Sequence, residues 1–240
     1  MMPLTNMITI QRTIRKSGAF ALIACLTGVL LSSASAQNAQ NEKRIENNRE
    51  RFQKRQSKGV GHAIPSYIMA RAKGIVIINR VKTGAGIGVS LGNGVAMVRK
   101  ADGNWSPPAF VLLTKGSLGS QMGAEQSTII ALLMTDDSLN SLKQGVKISG
   151  GATLQAAAGP VDVGKDITNV SIKKPILVYT DSKGAFAGAT LTAGWVNGDR
   201  RRNKSHYKLS MQEVLFSNEA EYTRAARSLI KTINLHSNSL

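Results

Sequence analysis

Ser90 stands in Gly88-Val89-Ser90-Leu91-Gly92, the G-x-S-x-G spacing of the nucleophile elbow in α/β-hydrolases. With Gly84, Gly86 and Gly94 around it, the same stretch also reads as a glycine-rich loop of the kind that cradles phosphate. Each chemistry makes a demand on the neighbouring residues. An elbow works on a strand-turn-helix, where the strained turn lifts the serine above the sheet. Here Asn93-Gly94 is followed by Val95-Ala96-Met97-Val98-Arg99, a strand pattern. A phosphate loop needs Gly-Lys-Ser/Thr at its end or a helix opening on its last glycine, and neither follows Gly94. The favoured reading is a strand. Gly84, Gly86 and Gly88 recur every second residue, so they share one strand face and let another element or a ligand approach the backbone closely. A serine esterase using Ser90 with His206 stays the alternative, because His206 and His236 follow several aspartates in chain order.

Other reactive groups add little. His62, His206 and His236 are dispersed and show no metal-ligand spacing, so no metal or other cofactor is expected. Asp136 and Asp137 are adjacent and would diverge on a helix, which suits caps rather than a catalytic dyad. A second bare face, at Gly184 and Gly188, surrounds Phe186. Trp105, Phe110, Phe186 and Trp195 are candidates to fill such gaps or to form plain core. No catalytic residue is assigned, and the chain is not expected to be an enzyme.

The elements that must hold these groups begin after a leader. Arg12, Arg15 and Lys16 precede an apolar run from Gly18 to Leu31, and Ala34-Ser35-Ala36 offers a small-residue cleavage site, the pattern of a signal peptide over residues 1–36. Leu22-Ile23-Ala24-Cys25 also resembles a bacterial lipobox. Apolar residues continue past Cys25, so cleavage after Ala36 is the expectation and a lipoprotein anchor the alternative. Taking 36 from 240 residues leaves 204, enough for one sizeable core. That part has no cysteine. Taking the leader's three cations from 31 Lys and Arg leaves 28 against 14 Asp and Glu, a net charge of +14. Such an excess attracts anionic partners; for an exported, periplasmic or envelope-associated chain a lipid surface comes before nucleic acid, which is not expected.

Residues 37–60 carry few apolar side chains beyond Ile45 and Phe52 and are expected to be a polar linker or solvated helix. A single domain then spans 61–240. Pro65 to Ala72 suggests a short helix stopping at Gly74, and Gly74 to Asn79 a buried strand. Asp102-Gly103 signals a hairpin, and Pro107-Pro108 an edge or bulge. Ile129 to Met134, Lys147 to Gly159, Pro175 to Thr180 and Gly184 to Val196 read as further strands. Thr135 is an expected cap of a short helix closed by Gly145. Ser210 with Glu213 fits a capping box, and Asn218 with Glu221 suggests the start of a last helix with Tyr222, Ala226, Leu229, Ile230 and Ile233 on one face. The order implies an α+β fold: a mostly antiparallel sheet, sandwich- or barrel-like, with a short N-terminal and a C-terminal amphipathic helix.

Several of these segments together resemble the SYLF lipid-binding domain. Ala72-Lys73-Gly74-Ile75 resembles its A-K-G-I, the Gly84–Gly94 stretch its glycine-rich strand, and Trp105-Ser106-Pro107-Pro108-Ala109-Phe110 its W-S-x-P-x-F. Gly119 to Gly123, Ala157-Ala158-Gly159-Pro160 and Tyr179 to Leu191 are similar to its later motifs, and Asn203 with Tyr207 to its closing N-x-x-Y-Y. The resemblance runs over about residues 64–216 in the right order. Departures at Ala85, Ile87, His206 and Lys208, and the missing aspartate near Met122, bear on ligand preference rather than fold. The resemblance implies a non-enzymatic module that binds phospholipid, with anionic phospholipid or envelope glycolipid as the carry-over for an exported chain.

The candidate lipid-binding cations are Arg200, Arg201, Arg202, Lys204 and Lys208 in a charged, loop-like run, with Lys73, Arg80 and Lys82 behind them. A bilayer contact of this kind contributes on the order of 1 kcal/mol per cation and fades with salt. An envelope protein bound through the same basic face is the other alternative.

Overall fold

The computed structural model describes residues 35–59, 62–148, 175–183 and 194–237; within these, the side chains of 82–90, 115–125, 146–148, 182, 183 and 194 lie outside the description. The chain divides into two compact units, 1–40 and 41–240. Of the first, residues 35–40 are described and helical. The expected leader and the 149–174 and 184–193 segments, including Gly159, Gly184, Phe186 and Gly188, lie outside the described residues.

The larger unit is built on one long antiparallel hairpin. Strand β1 (Gly74–Val98) and strand β2 (Ala109–Leu133) pair from Gly74↔Leu133 to Ala96↔Ala109, with a register shift between Ala85 and Ile87. The Asp102-Gly103 turn forms as expected: Gly103 has φ +81°, a left-handed value that glycine adopts without steric cost. Beyond a short helix α3 (Asp136–Gln144) and strand β3 (Val146–Ile148), strand β4 (Ile176–Lys183) pairs antiparallel with the C-terminal part of β2. Strand β5 (Gly194–Gly198) pairs with the N-terminal part of β2 and with β3. The sheet is antiparallel throughout its described pairings, and with the helices it makes the fold α+β.

Alternate residues of each strand enter different cores, which is why the sequence here reads as continuous apolar runs rather than alternation. Ile75, Ile77, Val95, Met97, Phe110, Ile130, Leu132 and Tyr179 form one core; Val76, Ile78, Ala96, Val98, Val111, Ile129, Ala131 and Val178 form the other. The first is covered by helix α1 (41–56), helix α2 (Ser66–Arg71) and helix α6 (Arg224–Ser237) through Phe52, Met69 and Leu229. The second is covered by α3 and helix α5 (Met211–Phe216) through Leu142, Val214 and Leu215. β1 also doubles back over its own start. A Cβ added at Gly94 would lie 1.9 Å from the Ile77 carbonyl oxygen, and one at Gly92 would lie 2.7 Å from Ile78 Cγ2. The structural reading of the glycines therefore holds at Gly92 and Gly94, while Ser90 lies within β1, opposite Lys115.

Three expectations are corrected. The stretch assigned as polar linker or solvated helix is a packed helix over 41–56: Ile45 and Phe52 are fully buried, and Asn41, Asn48 and Arg55 are buried beside them. Those five positions alternate steps of four and three, one stripe of a helix whose polar members hid it. The charged run at 200–207 is not a loop but helix α4 (Arg200–Tyr207), capped by Asp199. The last helix starts at Arg224 rather than near Asn218, because the Thr223 hydroxyl accepts from the Ala226 N–H (3.3 Å). Thr135 and Ser210 cap their helices as expected, each within a capping box.

Candidate functional site

Helix α4 is capped by Asp199 and fastened to the start of β2 through Asn203 and Tyr207, which fixes the side that faces solvent. The Arg202 N–H donates to Asp199 Oδ1 (3.1 Å), and the Arg202 guanidinium pairs with the other carboxylate oxygen. Buried Asn203 accepts from the Phe110 N–H and donates to the Phe110 carbonyl, both at 2.8 Å. The Tyr207 hydroxyl donates to the Pro108 carbonyl (3.0 Å). The closing N…Y motif thus clasps the W-S-P-P-A-F segment. Tyr222 binds the Trp105 carbonyl (3.1 Å), and the Arg99 guanidinium lies 4.5 Å from the Trp105 ring. These recognition motifs are structural.

With that face anchored, Arg200, Arg201, Lys204 and Lys208 are exposed. At 3.6 residues per turn they span about 100° of the helix circumference. Lys204 and Lys208 donate to the backbone carbonyls of Lys208 and Ser205 (3.3 and 3.2 Å); Glu213, at the start of α5, is the carboxylate that feels the Lys204 charge. Lys208 itself closes the helix with φ +63°. Arg202 differs from its neighbours, being turned to Asp199 and partly buried. The other expected cations do not join this arc. Lys73 pairs with Asp136 at the start of α3 (2.5 Å). Arg80 is a correction: it is buried, with Nε donating to Ser127 Oγ (3.0 Å), and so is not presented to a surface. The Lys82 side chain lies outside the description.

Two features were not legible in the sequence. Arg44 on α1 donates to Asn93 Oδ1 (3.2 Å). Burial, then the charge of Arg202 and, further on, that of Arg201, push its pKa down against the opposite pull of Asp199; the cationic field of α4 therefore reaches α1. Beside Asn93 runs an exposed row, Leu91–Thr114–Trp195, in register across β1, β2 and β5, so its side chains share one sheet face. Leu91 is 60 % and Trp195 52 % exposed. Trp105 and Phe110, by contrast, are core.

His206, the expected partner of Ser90 in the esterase reading, is otherwise engaged. Its side chain is 5 % exposed, with Nε2 3.1 Å from Glu42 Oε1 and the ring edge-on to Phe110 and Tyr207. Glu42 also accepts from the Ala225 N–H at the start of α6 (3.2 Å). Burial lowers the His206 pKa below its ordinary 6.5, outweighing the opposite pull of Glu42. Burial, and then Glu42, raise that of Tyr207. Among the described residues there is no cluster of His, Cys, Asp and Glu that could hold a metal ion, and no helix long and apolar enough to cross a membrane.

Comparison with known proteins places this geometry among relatives. A family model described as "Ysc84: Las17-binding protein actin regulator" matches residues 114–236. An SH3 domain-containing protein of Schizosaccharomyces pombe is 28 % identical over 184 residues, 75 % of this chain and 43 % of its own length. Protein YSC84 of Saccharomyces cerevisiae is 25 % identical over 179 residues, 73 % and 38 % of the two chains. The human SH3 domain-containing YSC84-like protein 1 is 28 % identical over 163 residues, 66 % and 47 %. The chain thus spans about half or less of the length of these relatives. No solved structure matches it.

Proposed function

The chain belongs to the Ysc84 family, the family of the SYLF resemblance, and from that premise we propose that it is a non-enzymatic docking module for anionic phospholipid surfaces. The observation that carries the reading is the anchored α4 helix, which presents Arg200, Arg201, Lys204 and Lys208 on one exposed arc. An arc of four like charges on a short, capped helix is held against its own repulsion, and an anionic surface relieves that repulsion. The exposed Leu91–Trp195 row, linked to α4 by way of Asn93 and Arg44, would add an apolar contact, since an amphipathic indole suits the lipid headgroup level. The signal-peptide pattern of residues 1–36 supports an exported, periplasmic or envelope-associated chain that meets phospholipid or envelope glycolipid.

Co-sedimentation of the full chain with phosphatidylcholine vesicles, with and without phosphatidylglycerol, tests the electrostatic part. Binding is expected only to the anionic vesicles and is expected to weaken with salt. Equal binding to both at low salt would sink it. The family description favours one second reading, in which the arc meets a protein partner such as the Las17 and actin machinery of the relatives. Binding to actin filaments or Las17 without lipid, together with no binding to anionic vesicles, would move the assignment there.

A further inference from the structure

Beyond the Val95–Phe110 pair of the first core, the same sheet face continues outward. Two residues along each strand lies the row Asn93–Leu112–Asn197, and two further on the row Leu91–Thr114–Trp195. Alternate residues of a strand share a face, and so do paired residues. Six side chains from three strands therefore make one platform. Its register is unbroken, the shift in β1 lying further on, between Ala85 and Ile87. Each row crosses two strand spacings, about 10 Å. Leu91, Thr114, Trp195 and Asn197 are exposed, and Asn93 and Leu112 are half-buried.

The Trp195 indole stands among polar groups on this platform. The Asn93 and Asn197 amides and the Thr114 hydroxyl can each donate and accept. Asn93 gives its carbonyl oxygen to Arg44 (3.2 Å), which leaves its NH2 group for a ligand. A sugar ring matches this mixture: its C–H face stacks on an aromatic ring, and its hydroxyls meet groups that donate and accept alike. The platform edge adds charge. Arg44 has no carboxylate within ion-pair distance among the described contacts, and burial and then the Arg202 charge disfavour its cation; an anion there offsets both. Arg200 is exposed and stands three residues after Asn197, within about 11 Å of it along the chain. Guanidinium forks suit carboxylates, so charge complementarity selects an acidic glycan over a neutral one.

We propose that the Leu91–Thr114–Trp195 and Asn93–Leu112–Asn197 rows bind an acidic glycan, with a sugar ring stacked on Trp195 and uronate carboxylates held by Arg44 and Arg200. The site shares Trp195 and Arg200 with the bilayer contact proposed above but requires no bilayer. It is tested by calorimetric titration of the full chain with tetragalacturonate and with neutral maltotetraose, beside sedimentation with phosphatidylglycerol vesicles. The expected result is saturable binding of tetragalacturonate, tighter than of maltotetraose and weakened about tenfold or more in Trp195→Ala. Trp195 is exposed, so its replacement leaves the core intact. Trp195→Phe, which keeps a smaller ring, is expected to fall between, and Arg200→Gln to narrow the preference for the acidic glycan. The double variant Arg227→Gln, Lys231→Gln, at exposed positions of α6, is expected to keep the affinity. Absence of saturable tetragalacturonate binding overturns the proposal. So does an affinity that Trp195→Ala leaves unchanged, or one that the α6 variant weakens as much, since either means attraction to net charge alone. Vesicle binding without glycan binding overturns this site and leaves the α4 docking standing; glycan binding without vesicle binding does the reverse.

Discussion

At the scale of single residues, α4 shows how one short segment divides its labour. Asn203 and Tyr207 face the sheet and take the backbone groups of Phe110 and Pro108, while Arg200 and Lys204 face outward. His206 lies between these roles, buried against Phe110 and paired with Glu42. Because burial lowers its folded pKa below 6.5, the unfolded chain binds a proton that the folded chain lacks in the interval between the two values. Its contribution to stability is therefore intact above about pH 6.5 and lost as the pH falls towards the folded value. His236, lowered by burial as well, acts in the same direction. Urea unfolding between about pH 7.5 and 5.5 is expected to show a falling midpoint, with a shallower fall once both histidines are replaced by glutamine. A midpoint that rises on acidification contradicts this account. The types at 200–208 were legible in the sequence as a basic run. The burial of His206 was not, because its carboxylate partner lies on α1, far away in the chain.

At the scale of elements, the strands were legible because their apolar runs are bracketed by turn chemistry. Asp102-Gly103 marked the hairpin, and Thr135 and Ser210 marked helix starts that the structure bears out. The packing of helix α1 escaped because three of its five buried positions are Asn41, Asn48 and Arg55, so apolar periodicity had too few points to register. The doubling back of β1 was foreshadowed only as a bare strand face. It falls at Gly92 and Gly94, where the strand meets its own beginning. Gly94→Ala is expected to cost about 3 kcal/mol or more, since the added methyl would collide with the Ile77 backbone, which cannot swing aside. Gly103→Ala, with open space around it and φ +81°, is expected to cost about 1–2 kcal/mol. Urea unfolding of the two variants compares them directly; equal losses would mean that β1 does not pack on itself as closely as described.

At the scale of the whole molecule, net charge points to an anionic partner but not to the surface that would meet it. Of the formal +17 charge, the structure locks some cations into ion pairs, as with Arg55 and Lys73, and buries Arg80. Among the described residues the outward cations include Arg200, Arg201, Lys204 and Lys208 on α4, Lys54 and Lys58 on the α1 side, and Arg224, Arg227 and Lys231 on α6; the α4 group is linked to α1 through Arg44 and to the Leu91–Trp195 row through Asn93. The chain has two tryptophans, and they occupy opposite situations: Trp105 is 1 % exposed and Trp195 52 %. A change in tryptophan emission on adding vesicles therefore reports on Trp195. A blue shift is expected with phosphatidylglycerol vesicles and none with phosphatidylcholine alone. The shift is expected to be lost both in Trp195→Phe and in the double charge reversal Arg200→Glu, Arg201→Glu. No shift with anionic vesicles, or the same shift in the charge-reversed variant, would mean that α4 and Trp195 do not meet an anionic bilayer.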